Sequence, residues 1–150
     1  MSIARACLTL ALLVLALGAC SGPLTDVTVE LDGVTETLQA KVTCTTQPDG
    51  KVVIYAADPK SGGKRMVRIL VSTQGRIMAY ATGIRLEDVE AFTDDRDELV
   101  ATKIGDTFTV SGRMPPVHGS LTLRPFQVEV ACPGYVNAPR RDTVPAIGSP

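Results

Sequence analysis

At 150 residues the chain has room for one domain, and its 45% hydrophobic and 21% charged residues are the balance of an ordinary globular protein. The 15 basic and 16 acidic residues leave a formal charge of −1, which argues against a nucleic-acid binder working through phosphate neutralisation. With no Trp, 4% aromatic residues and a single His, neither a sugar-stacking platform nor a His-based metal or acid/base centre is expected.

The first element is a leader. Arg5 precedes an almost purely apolar run over residues 6–19 (ACLTLALLVLALGA), and the chain turns polar at Ser21, Gly22 and Pro23. The run is shorter than the roughly 20 apolar residues a spanning helix needs, so it reads as the hydrophobic region of a signal peptide, and Cys7 leaves with it. Leu17, Gly18, Ala19 and Cys20 resemble the lipobox of bacterial lipoproteins. That resemblance implies diacylglycerol on the Cys20 thiol, cleavage just before it and acylation of the new N-terminus. Two or three acyl chains anchor a protein stably, where one alone binds only marginally. The alternative is an ordinary secretory signal cut near Ala19, leaving Cys20 as a free thiol. The expected segments are a signal peptide (1–19), a lipidated N-terminus and short linker (20–26), a β domain (27–133) and a flexible tail (134–150).

Along the mature chain Val27, Val29 and Leu31 alternate with polar residues up to Asp32-Gly33, a strong hairpin signal. Leu38, Ala40, Val42 and Cys44 share one face of the returning strand. Pro48-Asp49-Gly50 is a turn, and residues 51–57 (KVVIYAA) form a β-branched run suited to a buried strand. After a break at residues 59–63, residues 66–71 and 77–81 flank Gln74-Gly75 as a further hairpin. Residues 84–92 are ambiguous, because Leu86, Val89 and Phe92 have helical spacing amid β-rich neighbours. Gly105-Asp106 separates two more strands, residues 114–120 form a loop, and Phe126, Val128, Val130 and Cys132 alternate cleanly along the last strand. Short strands with frequent turns predict an all-β fold, a small antiparallel sandwich or strongly curved sheet.

Cys44 and Cys132 each end the inward face of a strand, so both thiols point into one core if those strands are neighbours. In an oxidising envelope a disulfide follows, closing a loop of nearly ninety residues; two buried, reduced thiols are the alternative.

Other polar groups point less sharply. His118 lies in a Pro/Gly/Ser loop with no nucleophile to serve. Glu87, Asp88, Glu90, Asp94, Asp95, Asp97 and Glu98 lack the ligand spacing of a calcium loop and read as a solvated acidic surface. Lys60, Lys64, Arg65 and Arg68 have the placement of an outward polar face, with lipid headgroups as the sharper reading. Ser61-Gly62-Gly63-Lys64 lacks the spacing of a phosphate loop and is a turn; Arg140-Arg141 belongs to the tail. No catalytic residue, metal site or cofactor is expected.

The segments VTVELDG (27–33), VTCTT (42–46), GKVVI (50–54), ATKIGDTFTVSG (101–112) and FQVEVACP (126–133) together resemble the mycobacterial lipoprotein antigens of the LpqH type, the nineteen-kilodalton antigen family. The resemblance covers roughly residues 27–133 and includes the paired cysteines. It implies an acylated envelope antigen held on the outer side of the cell membrane, sensed by host innate receptors through its lipid, with no enzymatic activity. One departure is plain: the long, glycosylated Thr/Ser/Gly-rich linker of antigen-type members is missing, and only Ser21 and Thr25 supply hydroxyls before the first strand. Structure, adhesion or surface display is the leading role. An extracytoplasmic lipid or glycolipid carrier is the alternative, and oligomeric state is left open.

Overall fold

A computed structural model of the chain describes residues 22–116 and 121–138. They form ten strands and no helix: β1 (Thr25–Leu31), β2 (Val34–Thr46), β3 (Lys51–Ala57), β4 (Arg65–Ser72), β5 (Met78–Leu86), β6 (Val89–Thr93), β7 (Leu99–Ile104), β8 (Thr107–Met114), β9 (Arg124–Ala131) and β10 (Tyr135–Asn137). The order across the sheet is β6-β5-β4-β3-β2-β1-β9-β8-β7; neighbours on this path are antiparallel, and β10 pairs parallel to β2. Of the two expected architectures this is the strongly curved sheet, open between β6 and β7.

The curvature is organised by β2. Its first part, up to Ala40, pairs with β1, whereas Lys41 onward pairs with β3, so one 13-residue strand serves two half-sheets. The sheet thereby curls around a single cluster of buried residues drawn from β1 to β9, among them Val29, Leu38, Ile54, Ile69, Ile84, Phe108 and Val128. Burying these side chains is the main favourable term for so small a domain.

Turn chemistry sets the registers. Asp32 and Gly33 both have positive φ (54° and 80°), the pattern of a type I′ turn whose twist matches the flanking strands, and Leu31 faces Val34 directly. Gly105 alone is positive (φ 58°) in the two-residue turn between Ile104 and Thr107, the pattern of type II′. Between β4 and β5 the register jumps, Leu70 facing Ala81 and Val71 facing Ala79, so Tyr80 bulges out. The bulge changes the parity of β5, which lets both Ala79 and Ile84 reach the core.

The ambiguous stretch at residues 84–92 is a hairpin. Leu86 faces Val89 across Glu87-Asp88, and Phe92 faces Gly83. A two-residue turn places positions i and i+3 opposite each other on one face, which reproduces the spacing of a helix. The tail also needs correction at its start: Tyr135–Asn137 form β10, against Cys44–Thr46 of β2. All three residues of β10 are exposed, so only backbone pairing holds the strand, and no apolar alternation announces it. At the other boundary β1 begins at Thr25 instead of Val27.

Candidate functional site

The strands present two rims. At one rim β1 begins, the Gly105-Asp106 turn closes β7 on β8, and the cysteines meet. Cys44 and Cys132 form a disulfide with Cα atoms 5.9 Å apart, across a sequence separation of 88. Both residues are almost fully buried, so the bond is shielded from reductants. It ties the second part of β2 to the end of β9 and so clamps the two half-sheets together. The Cys132 amide donates to the Asp106 carbonyl at 2.9 Å, and Tyr135 lies beside Cys44 on β10. Partial burial, and then the Asp106 carboxylate, raise the Tyr135 phenol above its ordinary pKa of 10.0.

At the opposite rim the β1–β2 and β5–β6 turns and the ends of the β8–β9 connection surround two open clefts. One is about 430 Å³, bordered by Glu87, Asp88, Glu90, Pro116 and Arg124; the other, about 260 Å³, adds Leu31, Glu36 and Leu86. Arginines neutralise several of these carboxylates: Arg65 meets Glu36 at 2.8 Å and Glu87 at 3.9 Å, and Arg85 meets Glu90 at 2.7 Å. The lining of the larger cleft suits small polar solutes better than acyl chains, whereas Val34, Leu86 and Val89 make the smaller one more apolar.

The rest of the expected acidic surface is dispersed. Asp94, Asp95 and Asp97 border a separate open cleft of about 420 Å³ beside Met78, and Glu98 is held by Arg113 on β8 in a two-pronged contact at 2.6 and 2.8 Å. That guanidinium keeps the Glu98 carboxyl below its ordinary pKa of 4.5. Among the described residues no group of three or more His, Cys, Asp or Glu side chains comes together as a metal site.

The basic set divides. Lys60 and Lys64 are exposed, Arg65 is engaged in ion pairs, and Arg68 is only 9% exposed, with its guanidinium 5.1 Å from the Tyr55 ring centre. Arg68 therefore corrects the expectation of a solvated outward face, because Tyr55 opposite it supplies an aromatic surface on which the planar cation stacks. Ser61-Gly62-Gly63-Lys64 is a turn, the Ser61 amide donating to Asp58 O and the Lys64 amide to Ser61 O. Cys20, His118 and Arg140-Arg141 lie outside the described residues.

Sequence reasoning passed over Thr82. Its side chain is fully buried and its hydroxyl has no hydrogen-bond partner among the described residues. The bulge at Tyr80 turns it inward, and a bulge leaves little trace in the local composition.

The fold and its rims thus define an all-β domain clamped by one disulfide, with open clefts at the far rim. The chain matches the profile of the Mycobacterium 19 kDa lipoprotein antigen family over residues 21–132 and belongs to that family. The matched stretch encloses both disulfide cysteines. No individually curated protein matches the chain.

Proposed function

We propose that the protein is a cell-envelope lipoprotein anchored through lipid on Cys20, with its β domain displayed on the extracytoplasmic face in a structural, adhesive or antigenic role. The observation that carries this reading is the succession of residues 6–19, the Leu17-Gly18-Ala19-Cys20 motif, and a domain of the lipoprotein antigen family matched from residue 21. The buried Cys44–Cys132 bond supports it, since such bonds form and persist in oxidising compartments. Host innate receptors would meet the protein through its acyl chains. No catalytic role is proposed, in keeping with a family of lipoprotein antigens. A lipid or glycolipid carrier is the weaker reading, given the carboxylate-bordered clefts.

Metabolic labelling with an alkyne fatty acid in the native cell tests the anchor. Label and membrane retention in the wild type, both lost in Cys20→Ala, is the expected result. An unlabelled wild-type protein in the culture fluid would end the proposal.

A further inference from the structure

The rim that carries the disulfide exposes several large apolar side chains, as the far rim also does at Val34, Val89, Leu121 and Leu123, and it differs from that rim in being where the chain enters the domain. Leu24 is 42% exposed, Ile104 83%, Tyr135 45% and Val136 55%. These residues come from three separate segments that the fold brings together. Ile104 flanks the β7–β8 turn, whose Asp106 carbonyl accepts from the Cys132 amide. Cys132 is bonded to Cys44, which stands beside Tyr135 in the β2–β10 ladder. Leu24 immediately precedes β1, and continuing the β1–β9 register places Thr25 next to Cys132.

We propose that this rim rests in the headgroup layer of the bilayer that holds the anchor, so that the domain sits on the membrane in one orientation. The inference rests on the reading of Cys20 as the lipidated residue. Cys20 stands four positions before Leu24, so even a fully extended connection spans at most ~14 Å. The chain thus leaves the domain at the disulfide rim, and this rim, unlike the equally apolar far one, cannot move far from the lipid. The cleft-bearing rim is held away by the length of β1, whose 7 residues extend about 24 Å.

The chemistry of the rim fits a shallow position. Tyr135 has an apolar ring and a polar hydroxyl, the combination enriched at membrane interfaces. The Lys103 ammonium donates to the Gly105 carbonyl, which fixes a positive charge at the rim for lipid phosphates. The Asp106 carboxylate at the turn tip keeps the contact at headgroup depth and out of the hydrocarbon.

The chain contains no Trp, so a single introduced Trp is a clean reporter. Acylated mature Tyr135→Trp, Ile104→Trp and Val34→Trp proteins are reconstituted into phosphatidylcholine/phosphatidylglycerol vesicles carrying a lipid with a nitroxide on its headgroup, and flotation is measured alongside quenching. Val34, on the far rim, is 62% exposed, so all three positions accept the larger side chain without disturbing the core. The expected result is flotation of all three proteins, with at least about twofold more quenching at 135 and 104 than at 34. Flotation with equal quenching at all three sites overturns the docked orientation and leaves the anchor standing. Failure to float overturns the anchor and the docking with it. A blue shift of the Tyr135→Trp emission that grows with protein concentration in detergent, without vesicles, assigns the rim to a second copy and also overturns the proposal.

Discussion

The two half-sheets bury their strands differently. In the half made of β7, β8, β9, β1 and the first part of β2, one face is packed and the other is wet: Val27, Val29, Val128 and Val130 are inside while Thr28, Glu30, Gln127 and Glu129 face water. In the half made of β3 to β6 both faces are covered. Met66, Val67, Arg68 and Ile69 are four consecutive buried residues of β4, and Val53 and Ala81 on the outward face are 7% and 4% exposed. The outward face is shielded in part by its own large side chains. Tyr55 carries the Arg68 guanidinium, and Phe92 lies over Gly83. A sheet can thus change from single-sided to double-sided burial along one continuous strand order, and the disulfide is the covalent link between the two regimes.

Breaking that link has the largest expected effect. Replacing Cys44 and Cys132 by Ser removes the closure of an 88-residue separation and is expected to lower stability by about 4–5 kcal/mol on chain-entropy grounds. Urea unfolding of wild type and the double variant, with and without reductant, measures it. An unchanged midpoint would mean that packing alone joins the halves.

The next test contrasts two glycines. A Cβ on Gly112 in β8 would sit 2.0 Å from the Glu98 carbonyl oxygen, a backbone atom, whereas a Cβ on Gly83 in β5 would meet only the Phe92 ring at 3.6 Å. Gly112→Ala is expected to cost about 2–3 kcal/mol. Gly83→Ala should be neutral or gain about 0.5 kcal/mol from reduced unfolded-state freedom. Thermal unfolding of the pair decides whether the two halves tolerate added bulk so differently.

Thr82→Val removes a buried, unpartnered hydroxyl from the double-sided half and is expected to stabilise by about 1 kcal/mol. A loss of stability there would show that the hydroxyl is satisfied in solution.

The smallest effect belongs to the solvated half. Because Arg113 lowers the folded-state pKa of Glu98, this contact adds stability above the ordinary value of 4.5, and the contribution disappears as pH falls through the folded pKa. Wild type and Glu98→Gln should therefore differ slightly at pH 7 and converge near pH 2. The convergence is read from denaturation midpoints, and the pH 7 gap should shrink in salt because the pair is exposed.

The same contrast explains what the sequence made legible. Single-sided strands announce themselves: the alternation from Val27 to Leu31 and from Phe126 to Cys132, with Asp32-Gly33 and Gly105-Asp106 between strands, leads straight to the observed registers. The double-sided half has no such alternation, so Arg68 reads as an outward charge although it is stacked and covered. The hairpin at residues 84–92 is hidden for two reasons. Its i, i+3 pairing imitates a helix, and its turn uses Glu87 at φ 52°, a left-handed conformation usually left to glycine or asparagine. The Lys64 carbonyl accepts the Glu87 amide at 2.8 Å and supplies a tertiary reason for that backbone, which no local composition could reveal. The cysteine pair was legible because both thiols fall on the inward parity of their strands. β10 was not, because its three exposed residues carry no pattern.

The position of β1 has a consequence for biogenesis. The first strand to leave the ribosome sits in the interior of the sheet, flanked by β2 and by β9, which is made about a hundred residues later. Half of its hydrogen-bonding edge stays unmatched until the last long strand arrives, and contacts so distant in sequence form slowly. The polypeptide is therefore suited to translocation as an unfolded thread. Docking of β9 and oxidation of the thiols can complete the domain only once residue 132 has been made.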